Sequence, residues 1–142
     1  MSDSSGEIKW KRDYETGVDE IDEQHHILVN TLNDANKLLT QDYSLENLQH
    51  ITKDLLSYAL YHFETEEEMM LEYDYKGLHP KDYVWHMQQH REFSAKVVDV
   101  RNALKAGKLI EQEELISFLL NWLIDHINKT DKKLGSFLAT KM

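Results

Sequence analysis

From Val18 onward, apolar residues recur at intervals of three and four, the spacing that gives a helix one buried stripe. The first stripe is Val18, Ile21, His25, Leu28, Leu32, Ala35 and Leu39. It stops before Gln41-Asp42-Tyr43, where Ser44 is placed to cap the next helix. The second is Leu48, Ile51, Leu55, Ala59, His62, Glu66, Met69 and Tyr73, and residues 74–80, with Gly77 and Pro80, form the clearest break in the chain. The third, Tyr83, His86, His90, Phe93, Val97, Val100 and Leu104, ends at Gly107. The fourth, Leu115, Leu119, Trp122 and His126, follows an acidic stretch at 111–114 that suits a helix N-terminus. Residues 131–142 are expected to add a short terminal helix, and residues 1–17 read as an irregular arm.

Four segments of roughly 20 residues, each about 30 Å long if helical, are joined by short links. That pattern predicts an all-α fold: an antiparallel up-down-up-down four-helix bundle in one domain over residues 1–142, the bundle itself spanning about 18–131. A single proline and five glycines in 142 residues agree with long helices and argue against an all-β fold.

Composition narrows the function classes. Sixteen basic against 26 acidic residues leave a net charge of −10, which speaks against nucleic acid or an anionic membrane surface as partner. The same charge favours a self-repelling monomer, or cationic partners. No cysteine is present, so thiolate metal sites, iron–sulfur clusters, disulfides and cysteine nucleophiles are excluded together. With no apolar signal core at the N-terminus and no apolar run near 18 residues, a cytoplasmic protein without membrane insertion is expected.

The chemistry lies in what interrupts the stripes. His25, His62, Glu66, His86, His90 and His126 occupy positions that the repeat assigns to the core, where a buried charge must be paired or coordinate a metal. His62/Glu66 and His86/His90 are four apart, so each pair projects from one helix face. A lone histidine in such a stripe is more often hydrogen-bonded than ligating. Four helices all placing ligand-type residues at comparable depth favour a metal site. His26, His50 and His79 fall off the stripes and are expected in solvent, as are Glu67 and Glu68. Imidazole with carboxylate suits iron, zinc or copper alike. Five histidines and an inward carboxylate exceed the needs of one tetrahedral zinc, so two metals are implied. The four-glutamate, twin E-x-x-H pattern of ferritin-type bundles fits poorly, because the only E-x-x-H here is Glu23/His26, off the stripe.

These residues closely resemble the hemerythrin family. Its bacterial members show a tryptophan-led arm, I-D-x-Q-H, H-F-x-x-E, H-x-x-x-H followed by phenylalanine, and W-L-x-x-H-I-x-x-x-D. This chain has Trp10, Tyr14 and Gly17, then Ile21-Asp22-Glu23-Gln24-His25, His62-Phe63 with Glu66, His86 and His90 with Phe93, and Trp122-Leu123 with His126-Ile127 and Asp131. The resemblance spans about residues 8–135 and adds a seventh ligand, Asp131. Five residues from His126 is about 140° on an ideal helix, so the resemblance implies that the fourth helix ends or distorts near Thr130.

By that resemblance the cofactor is a pair of oxo- or hydroxo-bridged, non-haem iron ions. His86, His90 and His126 bind one iron, His25 and His62 the other, and Glu66 and Asp131 bridge them. Two six-coordinate irons offer twelve positions; the histidines, the two carboxylate bridges and one bridging oxygen take eleven. The twelfth, on the two-histidine iron, stays open, as an active metal site requires. The implied function is reversible O2 binding for storage, delivery or buffering, with O2 held as hydroperoxide and no catalytic residues, so not an enzyme. Leu123, Ile127, Trp122, Leu28 and Phe63 are candidates for the O2 pocket. An O2 or redox sensor with a signalling partner, and di-iron detoxification of peroxide, nitric oxide or iron, remain alternatives, and an O2-consuming enzyme is a further candidate partner.

Overall fold

A computed structural model of the protein describes residues 10–108 and 111–142. The part of the expected arm at residues 1–9 lies outside the described residues. A 3-10 turn (Arg12–Tyr14) is followed by helices α1 (Asp19–Gln41), α2 (Leu45–Glu72), the single turn α3 (Tyr75–Leu78), α4 (Pro80–Lys105) and α5 (Gln112–Asp125). A π-helical turn (His126–Asp131) then carries α5 into α6 (Lys132–Ala139), so the fourth long segment and the short terminal helix form one continuous rod. The architecture is an all-α helical bundle, and no helix among the described residues is long and apolar enough to cross a membrane.

Local chemistry explains where the helices stop. The Ser44 side chain accepts from the Asn47 backbone N–H at 3.2 Å, satisfying an amide that the first turn of α2 leaves free. At the end of α4, Gly107 adopts φ +82°. Its N–H donates to Leu104 O at 3.0 Å, and the Lys108 N–H donates to Ala103 O at 3.0 Å, a Schellman closure that needs a left-handed residue. The break at 74–80 is not a plain loop. Asp74 takes the left-handed conformation, φ 58°, and accepts from the Gly77 N–H, which nucleates α3. Pro80 then stands at the first position of α4, where its missing N–H costs nothing.

The first stripe is buried throughout, from Val18 to Leu39. The second departs from expectation near its end: Met69 and Tyr73 are half-buried, and Met70 is fully buried in their place. On a wheel of about 100° per residue Met70 lies about 40° from the fully buried Glu66 and Met69 about 60° from it, so Met70 is the nearer of the two to the inward face. Tyr75, assigned to the break, is only 1% exposed because α3 folds it under the bundle.

Two apolar clusters result. The larger runs from Leu39, Leu48, Leu104 and Leu115 to Phe63, Leu123 and Ile127; the smaller joins Val18, Ile21, Met70, Tyr75, Leu134 and Leu138. Each ligand-type stretch lies between them: His25 between Ile21 and Leu28, His62 and Glu66 between Ala59 and Met70, Asp131 between Ile127 and Leu134. The polar site is thus sealed by packed hydrocarbon above and below.

The arm closes the smaller cluster. Thr16 donates from both its backbone N–H and its hydroxyl to Asp22 Oδ1, each at 2.8 Å, and its hydroxyl accepts from the Val18 N–H. Gly135 on α6 allows this approach, since a Cβ there would sit 2.5 Å from the Thr16 carbonyl oxygen.

Candidate metal centre

Seven side chains from every long segment of the bundle converge between the two clusters. His25, His62, Glu66, His86, His90, His126 and Asp131 are all at most 2% exposed. They fall into two overlapping sets, one of Glu66, His86, His90, His126 and Asp131 and one of His25, His62, Glu66 and Asp131; within each, the candidate ligand atoms lie within 4.8 Å of one another. The residues named from the sequence therefore arrive at one place, three of the histidines in one set and two in the other.

Each of the five converging histidines faces the centre through Nε2. Asp131 addresses both sets with different oxygens. Its Oδ2 lies 2.6 Å from His25 and 3.5 Å from His62, and its Oδ1 lies 3.0 Å from His86 and 2.8 Å from His126. Glu66 Oε1 lies 3.2 Å from His86, 3.0 Å from His90 and 3.6 Å from His62.

The π turn makes this possible. Its bonds run from i to i+5, so residues five apart stand one above the other. His126 and Asp131 therefore share a face that an α-helix would have split.

The electrostatics describe a site built around cations. Burial works against a charged His86, yet the Glu66 and Asp131 carboxylates outweigh it and push its pKa up to about 10. For His62 and His126 burial again opposes charge, and Glu66 and Asp131 again raise the pKa. Burial would raise both carboxylates, and Asp131 repels Glu66, but the surrounding histidines hold each well below the ordinary range. Two buried carboxylates demand positive charge, and among the described residues the charge facing them comes from protons on imidazole.

Protons alone do not satisfy the geometry. Glu66 Oε2, Asp131 Oδ1 and His126 Nε2 are buried without a hydrogen-bond partner, although the last two stand 2.8 Å apart. Atoms that are close but misaligned, with lone pairs converging on a common space, fit ligands of a shared ion rather than donors to one another. The residues present fit a two-metal group of nitrogen and oxygen donors.

Outside this ring stand residues that the stripes did not single out. His62 Nδ1 donates to Gln24 Oε1 at 2.8 Å, and Gln24 Nε2 donates on to Thr65 Oγ1 at 3.1 Å. His126 Nδ1 donates to Gln89 Oε1 at 2.7 Å, which also accepts from the Thr130 hydroxyl at 2.6 Å. Each glutamine directly precedes a histidine, in Gln24-His25 and Gln89-His90, and reaches across to a histidine of the next helix. That repeated dipeptide is the sequence signal for them. His90 Nδ1 lies 2.9 Å from Glu67 Oε2, so Glu67 is not the solvated surface charge expected of it. One residue from Glu66 turns it about 100° off the stripe, which is where α4 packs. Glu68 is exposed, as are His26, His50 and His79.

The pocket candidates line the apolar side. Leu28, Phe63, Leu123 and Ile127 are buried in the larger cluster, and half-buried Trp122 packs against it. Phe63 stacks on His90 with ring centroids 3.9 Å apart, and Trp122 stacks on His126 at 4.6 Å.

Residues 16–138 match the family model described as the hemerythrin HHE cation binding domain. The chain is 27% identical over 129 residues to a bacteriohemerythrin of Clostridium acetobutylicum, covering 87% of this chain and 95% of that protein. It is 29% identical over 125 residues to a myohemerythrin of Theromyzon tessulatum, covering 88% of each. A solved wild-type hemerythrin superposes with a TM-score of 0.82 at 24% identity, covering 93% of this chain and 98% of that one, and so shares the fold.

Proposed function

This chain belongs to the hemerythrin family, and from that membership we propose that it binds O2 reversibly at a di-iron centre, to store, deliver or buffer it. The observation that carries the reading is the convergence of five imidazole Nε2 atoms and two carboxylates, three of whose buried atoms have no partner within the protein. His86, His90 and His126 would hold one iron and His25 and His62 the other, with Glu66 and Asp131 between them. The iron pair, when bound, supplies the two electrons and the free coordination position that O2 binding needs.

The chain's own residues set the conditions. Asp131 presents one oxygen to each set and so fixes the spacing of the two metal positions. Gln24 and Gln89 lock the Nδ1–H tautomers of His62 and His126, which leaves the Nε2 lone pair facing inward as a metal ligand. Leu28, Phe63, Leu123 and Ile127 exclude water from the centre. Dry, largely neutral surroundings disfavour release of a charged oxygen species and hence favour return of O2 unchanged. The His25/His62 side has the smaller donor count, which supports the reading that a free position would lie there.

The test is optical. Iron-replete protein, reduced without air, is expected to gain a visible charge-transfer band on exposure to O2 and to lose it under vacuum over repeated cycles. Irreversible oxidation within the first cycle would refute carriage.

A further inference from the structure

Among the outer hydrogen bonds of the histidine ring, one differs in kind. His62 and His126 each donate from Nδ1 to a glutamine carbonyl, a neutral acceptor. His25 and His86 have buried Nδ1 atoms with no partner. His90 alone among the five donates to a carboxylate, Glu67, at 2.9 Å, while its Nε2 points inward to within 3.0 Å of Glu66. The ring is only 3% exposed and is stacked face to face on Phe63, whereas the Glu67 side chain is 38% exposed.

A carboxylate accepting from Nδ1–H pulls that proton further than an amide oxygen does, and the released electron density moves to Nε2. His90 is therefore the strongest donor of the five, and it belongs to the three-histidine set. We propose that Glu67 is a positioning residue that makes the three-histidine metal position electron-rich, setting the redox balance between the two positions through His90. The effect adds to the difference in histidine number. The fuller position gains electron density, which favours its oxidised form, while the two-histidine position has a neutral outer partner and is left the weaker donor set. Glu67 thus widens the inequality between the two metal positions that the three-to-two histidine division begins.

This rests on the di-iron reading above, and the test separates the two. Glu67→Gln keeps the length and an acceptor oxygen but removes the charge; Glu67→Ala removes both; Glu68→Gln removes one charge from the exposed neighbouring position. Iron content, anaerobic redox titration and competition for Co2+ against a chelator are measured on each. Glu67→Gln is expected to keep two irons, to shift the oxidised-to-reduced equilibrium about tenfold toward the reduced form, equivalent to about 59 mV for one electron, and to weaken one of two Co2+ sites about tenfold. Glu67→Ala is expected to move both further, and Glu68→Gln to match the unaltered protein. A Glu67→Gln variant with unaltered potential and Co2+ affinity would overturn the proposal, as would an equal shift from Glu68→Gln. Unaltered protein that holds two irons but fails to release O2 would sink the carrier reading and leave the Glu67 comparison intact. Unaltered protein that takes up neither iron nor Co2+ would overturn both.

Discussion

His126 and Asp131 lie five residues apart in sequence and 2.8 Å apart at Nε2 and Oδ1, because the backbone between them is a π turn. The same turn directs the Thr130 hydroxyl to Gln89, so one irregular segment sets a ligand, its neighbour and an outer support together. Since Asp131 faces both histidine sets, Asp131→Ala is expected to unload both. Iron analysis is expected to give well below one ion per chain with helical circular dichroism retained. Full loading would show that Asp131 is not shared.

His62 belongs to one set only. His62→Ala is expected to leave about one iron per chain on the three-histidine side and to abolish reversible O2 binding. His50, exposed and 3.2 Å from Asp54, is the matched control. Loss of O2 binding in His50→Ala would mean the inward stripe of α2 is misassigned.

The metal-free protein and its metal affinity are expected to respond to pH in opposite directions. His62, His86 and His126 have raised pKa values in the fold against 6.5 when unfolded. Their pairing stabilises fully below pH 6.5 and is lost as pH rises through the folded value, about 10 for His86. Glu66 and Asp131 are lowered from 4.5 and 3.8, so their contribution is present above those values and lost as pH falls through the folded ones. Metal-free protein is thus expected to melt highest between about pH 4.5 and 6.5 and at falling temperature from there toward pH 10. Metal must displace the histidine protons, so its affinity rises over that range. Calorimetry in chelator showing no decline above pH 6.5 would contradict the pairing.

The arm is locked to α6 by the absence of a side chain at Gly135. Gly135→Ala would drive a Cβ into the Thr16 carbonyl oxygen and is expected to cost about 1–3 kcal/mol in urea unfolding. Gly107→Ala meets no neighbour but keeps φ +82°, and is expected to cost about 1–2 kcal/mol. Near-neutral unfolding energies for Gly135→Ala would mean the arm does not pack there in solution.

Most of the bundle and six of the seven converging residues are legible in the sequence, because helical periodicity places any polar interruption of a stripe in the interior. Asp131 is not, since it obeys a π spacing that the 3.6-residue rule misplaces by about 140°; only the family motif supplies it. Gln24, Gln89 and Glu67 sit one residue off their stripes, on flanks that are solvent in an isolated helix and contact in a bundle. Which flank is covered depends on the neighbouring helix, and periodicity along one helix carries no such information. Tyr75 was hidden by the turn residues around it, which announce a break but not the buried helical turn within it.

The most direct test is the stoichiometry of O2. Anaerobically reduced protein, titrated with O2 in parallel with iron quantitation, is expected to saturate at one O2 for each pair of irons and to return it quantitatively on degassing. Saturation at one O2 per iron, or uptake that degassing does not reverse, would contradict a shared di-iron site that carries O2.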